Sequence, residues 1–432
     1  MVEAILASLL LLALIVAGVN IYVALGLSGA LGLLLTRGVN ALALVPTSFF
    51  GQLNSFEMIA LPLFILMGHV LAKTPIGRDL FYAASRWLSW LPGGLAIASI
   101  GACTVFGAVS GVSIAGVAAV GGLAVPEMVN RGYSRSLAAG SVVTAGALAM
   151  LIPPSVPFII YSAVTGDSVA KLFIGGIIPG LALAFMLSLF VLLRVFLRPT
   201  EAPSVADLRF SWRHRFGSLK RIWHAGVLIA LVLGSIYTGV ATPTEASAVG
   251  AAGAFLIAGL AYRILTWHGT LGILKESLRV SAAILIIMGC AKIFGDFLNM
   301  VRVPQMLSEF LLGLNVPAVV ILLIIMALLI VLGMFVDAVS LIVVTTPILL
   351  PLIKGLGYDP LWYGIILVMN LELAVVTPPV GLNLYTLRGV CPFLSVEEII
   401  RASIPFVAIQ FLGLLIFVLF PGLALWLPGM LD

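Results

Sequence analysis

Long apolar runs follow one another along almost the whole chain, with only short polar stretches between them. Ten of these runs approach the roughly 20 residues that a helix needs to cross the hydrocarbon core of a bilayer. They lie near residues 4–22, 24–41, 54–72, 136–163, 172–194, 225–240, 243–262, 278–298, 361–388 and 403–427. Only 9% of the 432 residues are charged, whereas a soluble domain carries about 25%. The sequence therefore predicts an all-α polytopic membrane protein, and the absence of two-residue alternation argues against a membrane β-barrel.

Two further apolar stretches, 93–128 and 316–350, are too long for a single span. Each has a small or polar centre, which runs from Gly107 to Ser113 in the first and from Gly333 to Ser340 in the second. We interpret both stretches as re-entrant helical hairpins, each of which enters and leaves the membrane on one side. The prediction is thus about ten full spans plus two hairpins.

The chain contains an internal repeat. The pair Pro153-Pro154 recurs 225 residues later as Pro378-Pro379, and both pairs interrupt apolar runs. Further matches at this separation or at 221 residues are Pro126 with Pro351, Gly132-Tyr133 with Gly357-Tyr358, Gly29 with Gly250, and Met67-Gly68 with Met288-Gly289. Each half then holds five spans, and an odd number of spans inverts the second copy. Broken helices at corresponding places in an inverted repeat are typical of a transport site near the middle of the membrane.

The predicted organisation is two inverted halves on either side of a basic linker. The first half is 1–194, with scaffold helices in 1–72 and a hairpin and broken helix in 87–165; the linker is 195–224. The second half is 225–432, with scaffold helices in 225–300, a hairpin and broken helix in 316–390, and a last helix at 403–427.

The basic residues orient this topology. All but five of the 22 Lys and Arg residues fall on one side of it, the exceptions being Arg37, Lys171, Lys292, Arg302 and Lys354. The positive-inside rule makes that side cytoplasmic. We therefore expect the 195–224 linker in the cytoplasm and both termini on the opposite, periplasmic face. The net charge of +5 then reflects topology and does not indicate nucleic-acid binding.

The two Pro-Pro pairs are expected to free backbone carbonyls, because proline has no N–H to donate to the carbonyl four residues earlier. The carbonyls concerned are those of Ala149, Met150, Ala374 and Val375. In a membrane such groups need protein, water or an ion. Together with the hydroxyls of Ser155 and Thr377 they could bind sodium; the alternative is a simple proline kink satisfied by neighbouring side chains.

The hairpin centres supply further candidate ligands. The first reads Ser110-Gly111-Val112-Ser113, with hydroxyls and a glycine that allows close backbone approach. Such a cluster is also typical of close helix packing, but beside a broken helix we favour cation and substrate binding. The second centre carries Asp337 and Ser340, with Gly333 nearby. A charge in the membrane is costly, so Asp337 is either a functional residue or a tip residue in a wet cavity.

Three further polar features lie within the predicted spans. Asn383 is expected to face either the site or another helix. Lys292 and Asp296, four residues apart, are expected to form an intramembrane ion pair, and His69, alone in an apolar span, to be packed in the interior. The sequence has no Ser/His/Asp grouping, no H-E-x-x-H motif and no phosphate-binding loop. We therefore expect a protein that is not an enzyme and that draws energy from an ion gradient.

An ordered set of motifs resembles one family, the large membrane subunit of TRAP (tripartite ATP-independent periplasmic) transporters. In the first half the motifs are Ser110-Gly111-x-Ser113, Pro126-Glu127-Met128, Gly132-Tyr133 and Ile152-Pro153-Pro154-Ser155 with Tyr161. In the second half they are Pro347, Pro351, Asp359-Pro360 and Thr377-Pro378-Pro379-Val380-Gly381. The set covers nearly the whole chain. One departure is the first tip, which reads Ser-Gly-Val-Ser where Ser-Gly-Ser is common.

The resemblance implies a sodium-driven importer of the elevator type, akin to the ion-transporter superfamily, in a bacterial inner membrane. Its cargo would be a small organic acid delivered by a periplasmic substrate-binding protein. Its partners would be a separate four-span membrane subunit and the surrounding membrane lipid, and two or more Na+ ions would be its only cofactors.

The family's cation sites lie at hairpin tips and helix breaks. Combined with the candidates above, this places the predicted sodium ligands at Ser110, Gly111, Ser113, Pro153, Gly333, Asp337, Ser340, Thr377 and Gly381. The predicted substrate-binding residues are Ser113, Ser155, Ser340, Thr377 and Asn383.

Three alternatives stand beside this interpretation. A stand-alone sodium/anion symporter of the related elevator class would need no binding protein. A membrane enzyme would need a cluster of His, Asp or Glu at one membrane face, and a non-transporting scaffold subunit would not need two matched helix breaks. Sialic acid, dicarboxylates, keto acids and sulfonates are all open as substrates.

Overall fold

A computed structural model of the protein describes residues 2–203, 211–314 and 316–430, which form helices and connecting turns with no strand. The helices of the first half are α1 (Val2–Val16), α2 (Ile21–Arg37), α3 (Leu44–Leu53), α4 (Glu57–Ala72), α5 (Ile76–Leu88), α6 (Gly94–Ser110), α7 (Ser113–Asn130), α8 (Arg135–Ala147), α9 (Val156–Thr165) and α10 (Val169–Leu197). A short helix, α11 (Trp212–Leu219), precedes the second half. The helices that follow are α12 (Trp223–Tyr237), α13 (Pro243–Leu256), α14 (Trp267–Met300), α15 (Val303–Leu312), α16 (Ala318–Gly333), α17 (Ala338–Gly355), α18 (Pro360–Val376), α19 (Leu382–Val390), α20 (Val396–Leu419) and α21 (Gly422–Leu425).

The helices recur in the same order in the two halves. Helices α1 and α2 correspond to α12 and α13, the bent pair α3–α4 corresponds to the continuous α14, and α5 to α10 correspond to α15 to α20. The predicted hairpins are the antiparallel pairs α6–α7 and α16–α17, and the predicted broken helices are α8–α9 and α18–α19. Both Pro-Pro peptide bonds are cis. The repeat predicted from the sequence is therefore visible in the element order.

Helices pack across the two halves as well as within each half. Helix α2 packs on α14, and its counterpart α13 packs on α4. Glycines make these contacts close: a Cβ built on Gly29 would lie 2.8 Å from the backbone nitrogen of Phe294, and one on Gly250 would lie 2.7 Å from Sδ of Met67. Small residues let helix backbones approach in this way. The same exchange joins α7 to α19 and α17 to α9, which brings the hairpins of one half to the helix break of the other.

Several boundaries differ from the predicted ones. The spans 136–163 and 361–388 are each divided into two helices, as the predicted helix breaks require, but the last helix lies at Val396–Leu419 and not at 403–427. Helix α14 begins at Trp267, well before the predicted residue 278. The prediction missed its first turns because their polar residues lower the local hydropathy. Helices α3, α5, α11 and α15 were not predicted at all. They are eight to thirteen residues long, which is too short for a membrane span. Helix α5 also carries its charged residues on one face.

Six helices among the described residues are long and apolar enough to cross a membrane, and up to eight if each bent pair counts as one span. Other apolar helices, such as Ile21–Arg37 and Gly94–Ser110, fall just short of that length. The protein is thus a multi-pass membrane protein, while the count of ten spans stays a prediction. Residues 204–210 of the predicted linker, with Arg209, lie outside the described residues.

Candidate functional site

The first hairpin tip lies against the first Pro-Pro turn. Helix α6 ends at Ser110, and Gly111 then adopts a left-handed conformation with φ of 64°. A Cβ built on Gly111 would lie only 2.4 Å from the carbonyl oxygen of Pro154. The hydroxyl of Ser110 is buried and has no hydrogen-bond partner among the described residues. The structure thus brings Ser110 and Gly111 together with the Pro153-Pro154 turn.

A hydrogen bond joins this tip to the helix break of the other half. The hydroxyl of Ser113 donates to Oδ1 of Asn383 over 2.9 Å, although 270 residues separate them. The amide nitrogen of Asn383 donates in turn to the carbonyl oxygen of Val143, at 3.3 Å. Asn383 is fully buried and Ser113 nearly so. Of the two orientations left open by the sequence, Asn383 therefore faces the site.

The second hairpin tip is organised by Asp337, which precedes the first turn of α17. Its Oδ1 accepts a hydrogen bond from the backbone N–H of Ser340 at 3.1 Å, and its Oδ2 accepts one from the Ser340 hydroxyl. This is the usual arrangement of an N-cap. At the other end of the tip, a Cβ on Gly333 would lie 2.5 Å from Cβ of Ala374. The tip is thereby held against α18.

The hydroxyls beside the Pro-Pro pairs are already engaged by backbone groups. Ser155 donates to the carbonyl oxygen of Met150 and accepts from the N–H of Phe158 at 3.4 Å. Thr377 donates from its hydroxyl to the carbonyl oxygen of Leu373 and from its N–H to that of Ala374, the latter at 3.2 Å. The expectation of free carbonyls is therefore wrong for Met150 and Ala374, because hydrogen bonds within the chain satisfy them.

Gly381, the last predicted ligand of the second half, follows the second Pro-Pro pair. It adopts φ of 47°, and a Cβ there would lie 3.1 Å from the carbonyl oxygen of Thr377. A side chain would therefore be both strained and crowded at this position.

A cavity of about 660 Å³ lies between the hairpin tips and the scaffold helices α4 and α14. Both tips line it, through Gly111 to Ser113 and through Asp337 to Val339, and so does Asn383. The remaining predicted ligands are not among the described residues that line this cavity: Ser110, Pro153, Ser155, Gly333, Ser340, Thr377 and Gly381. Met150 and Val156 beside the first Pro-Pro pair also line it, so the structure gathers the two tips and both helix breaks around a common space.

The scaffold wall of this cavity carries polar residues that were not predicted to belong to a site. Lys73 of α4 forms an ion pair with Glu276 of α14 at 3.1 Å, and Nδ1 of His69 lies 3.0 Å from the hydroxyl of Ser277. His69, Lys73 and Glu276 all line the cavity. His69, which was expected to be packed and not catalytic, is half-buried and lies at the cavity wall. Lys73 lies at the end of an apolar run, so the sequence suggested only a topological role.

A second, smaller cavity of about 320 Å³ lies further along α14. It is lined by Lys292 and Asp296, by α17 from Val343 to Pro351, and by the end of α9. Nζ of Lys292 and Oδ1 of Asp296 are 2.7 Å apart, which confirms the predicted ion pair. No residue from either hairpin tip lines this second cavity within the described part of the chain. Of these two cavities, only the larger one is lined by tip residues.

Within residues 2–203, 211–314 and 316–430 no group of three or more His, Cys, Asp or Glu residues could hold a metal ion. What the site does present is oxygen atoms, from hydroxyls, carbonyls and one carboxylate, on backbone that departs from the helix. Such sites suit alkali cations and small polar solutes.

Comparison with known proteins gives a consistent result over nearly the whole chain. Residues 8–423 match the family model for the tripartite ATP-independent periplasmic transporter, DctM component. The C4-dicarboxylate TRAP transporter large permease protein DctM of Vibrio cholerae is 33% identical over 98% of this chain and 97% of its own length. The isethionate TRAP transporter permease protein DctMQ of Oleidesulfovibrio alaskensis is 36% identical over 96% of this chain and 65% of its own length. Among solved structures, the YdaH transporter of Alcanivorax borkumensis has a TM-score of 0.61 with 16% identity, over 91% of this chain and 90% of that one. That last likeness concerns the fold alone.

Proposed function

The chain belongs to the DctM family of TRAP transporter large permeases, and we propose that it imports a small organic acid anion by sodium-coupled, elevator-type alternating access. The cargo is received from a periplasmic substrate-binding protein. A small membrane subunit of the same transporter completes the complex, which lies in a bacterial inner membrane with both termini of this chain in the periplasm.

The observation that carries this proposal is the shared cavity below the two hairpin tips. The two halves contribute one tip each, and the Ser113 hydroxyl donates to Oδ1 of Asn383 across the repeat at 2.9 Å. The cavity reaches both tips, whereas the second cavity reaches neither. Alternating access requires a site that is open to one side at a time, and such sites lie at the interface between structural repeats.

Sodium coupling is supported by unpaired oxygen at the first tip. The buried hydroxyl of Ser110 has no partner among the described residues, and the carbonyl oxygen of Pro154 points at Gly111. A cation that accepts oxygen ligands would satisfy both groups. At the second tip Asp337 offers a carboxylate at the cavity wall, so two or more sodium ions are part of the proposal.

Elevator motion is supported by the contact between the first tip and the scaffold. A Cβ on Gly68 of α4 would lie 2.4 Å from the carbonyl oxygen of Ser110, so the helix presents a smooth surface to the tip. The substrate class is supported by the relatives, which are named for C4-dicarboxylates and for isethionate, a sulfonate. Lys73 at the cavity wall is a cation that such an anion can meet.

The test is uptake in proteoliposomes that contain this chain and its small membrane subunit. Radiolabelled succinate, isethionate and a sialic acid are supplied, with and without a binding protein and with and without an inward sodium gradient. We expect uptake of one class that needs both sodium and the binding protein. Uptake without the binding protein would favour the stand-alone symporter, and uptake unaffected by sodium would refute the coupling.

A further inference from the structure

Helix α11, just before the second half, carries an apolar stripe that the protein leaves uncovered. Trp212, Phe216 and Leu219 are 64%, 58% and 39% exposed. Their spacing of four and three residues places them on one face of the helix. The helix is bent by 52° from α12, which is a membrane-spanning candidate together with it. An exposed apolar face at an angle to an adjoining span is typical of a helix that lies in the membrane interface.

This helix is fixed to the body of the protein by aromatic contacts. The ring of Trp87, on α5, meets the rings of Trp212 and Phe216 edge to face, with centroids 6.3 Å and 5.6 Å apart. The indole N–H of Trp87 also donates to the carbonyl oxygen of Arg215 at 3.1 Å. Tryptophan concentrates at the level of lipid headgroups. The contacts therefore hold α11 against α5.

Basic side chains surround the apolar stripe. The segment from Ser211 to Ile222 contains four Lys and Arg residues and no acidic residue. Arg213, Lys220 and Arg221 are exposed, and none forms an ion pair within the described part of the chain. The guanidinium of Arg221 lies over the ring of Tyr82 at 4.3 Å. The exposed aromatic rings can contact the acyl chains of a phospholipid. The basic side chains beside them, which form no ion pair with any described residue, can contact its headgroup.

We propose that α11 and the facing edge of α5 form a binding site for anionic phospholipid. Trp212, Phe216 and Leu219 enter the acyl region, and Arg213 and Lys220 contact the phosphate and anionic headgroup. Charge complementarity selects this occupant, because basic residues next to a membrane span attract anionic lipid. The sequence topology places the segment on the cytoplasmic side. Lipid bound there anchors the scaffold whatever substrate the protein carries.

The test compares two charge-removing variants of the full chain in detergent micelles. Arg213→Gln with Lys220→Gln removes one Arg and one Lys from the proposed site. Lys275→Gln with Arg279→Gln is the matched control, since both residues are exposed on α14 on the same predicted side. Each protein is mixed with equal amounts of phosphatidylglycerol and phosphatidylcholine, and retained lipid is measured by native mass spectrometry.

We expect the first variant to lose phosphatidylglycerol affinity by about 25-fold at low salt, about fivefold for each charge. The control should change by less than twofold, and neither should change phosphatidylcholine retention. Equal loss in both variants, or no loss in the first, would overturn the proposal.

Discussion

Replacement of Gly111 by alanine tests the first hairpin tip most directly. At φ of 64° an L-residue is disfavoured by roughly 1–2 kcal/mol. The new Cβ would lie 2.4 Å from the carbonyl oxygen of Pro154, and overpacking of this kind costs roughly 1–3 kcal/mol. Together these terms disfavour the observed tip by about 2–5 kcal/mol, a factor of at least about 30 in its population.

The matched control is Gly101→Ala, on the same helix α6. Its Cβ would lie 3.8 Å from Cδ1 of Leu88, in ordinary contact, and its φ is not positive. Alanine in a helix interior is favoured over glycine by about 0.5–1 kcal/mol, so the control should insert, melt and transport like the unaltered protein.

The assay is sodium-driven uptake in proteoliposomes, with folding of the detergent-solubilised protein checked by gel filtration. We expect Gly111→Ala to elute normally, to lose most of its uptake, and to need more sodium for half-maximal rate. Uptake and sodium dependence equal to those of Gly101→Ala would show that the tip does not need the left-handed turn, and the assignment of the first tip to the site would then be wrong.

Three further outcomes are expected. Ser113→Ala leaves the buried Oδ1 of Asn383 without its hydrogen bond, which costs roughly 1–3 kcal/mol. The substrate concentration for half-maximal uptake should therefore rise about tenfold. An unchanged concentration would argue against a shared site. Lys73→Gln breaks an ion pair that is half exposed and so contributes about 0–1 kcal/mol to stability. The melting temperature should hardly change, while the apparent affinity for the anion falls. A large change in melting temperature with normal affinity would contradict this. Gly29→Val places methyl groups against the backbone of α14 and should lower the melting temperature strongly, in contrast to Gly226→Ala, where nothing lies within 4 Å.

The helix breaks and hairpins can be predicted from the sequence because they depend on local chemistry. Two prolines in succession cannot continue a helix, and their recurrence 225 residues later is enough to identify the repeat. The tip motif around Gly111 is likewise recognisable from residue type alone. The hydrogen bond between Ser113 and Asn383 is not, because nothing local records a contact across 270 residues.

The scaffold wall of the cavity could not be predicted, for a different reason. Lys73 and Glu276 lie at or beyond the ends of apolar runs, where charges report membrane topology, and only the packing of α4 beside α14 shows that they face the tips. Helix α5 was missed because its charged residues interrupt the hydropathy of a short segment. Sequence periodicity detects spans well and detects the short connecting helices between them poorly.

The exchange of helices between the halves has a consequence for biogenesis. The glycine seams of α2 with α14 and of α13 with α4 each need one helix from either side of the central linker. When only the first ten helices have been synthesised, α14 and α13 do not yet exist. Helix α2 then exposes to lipid the glycine face that later packs on α14. Maturation must therefore wait for the carboxyl-terminal portion, and a polypeptide cut near residue 207 should regain its architecture only when both pieces are synthesised in the same cell.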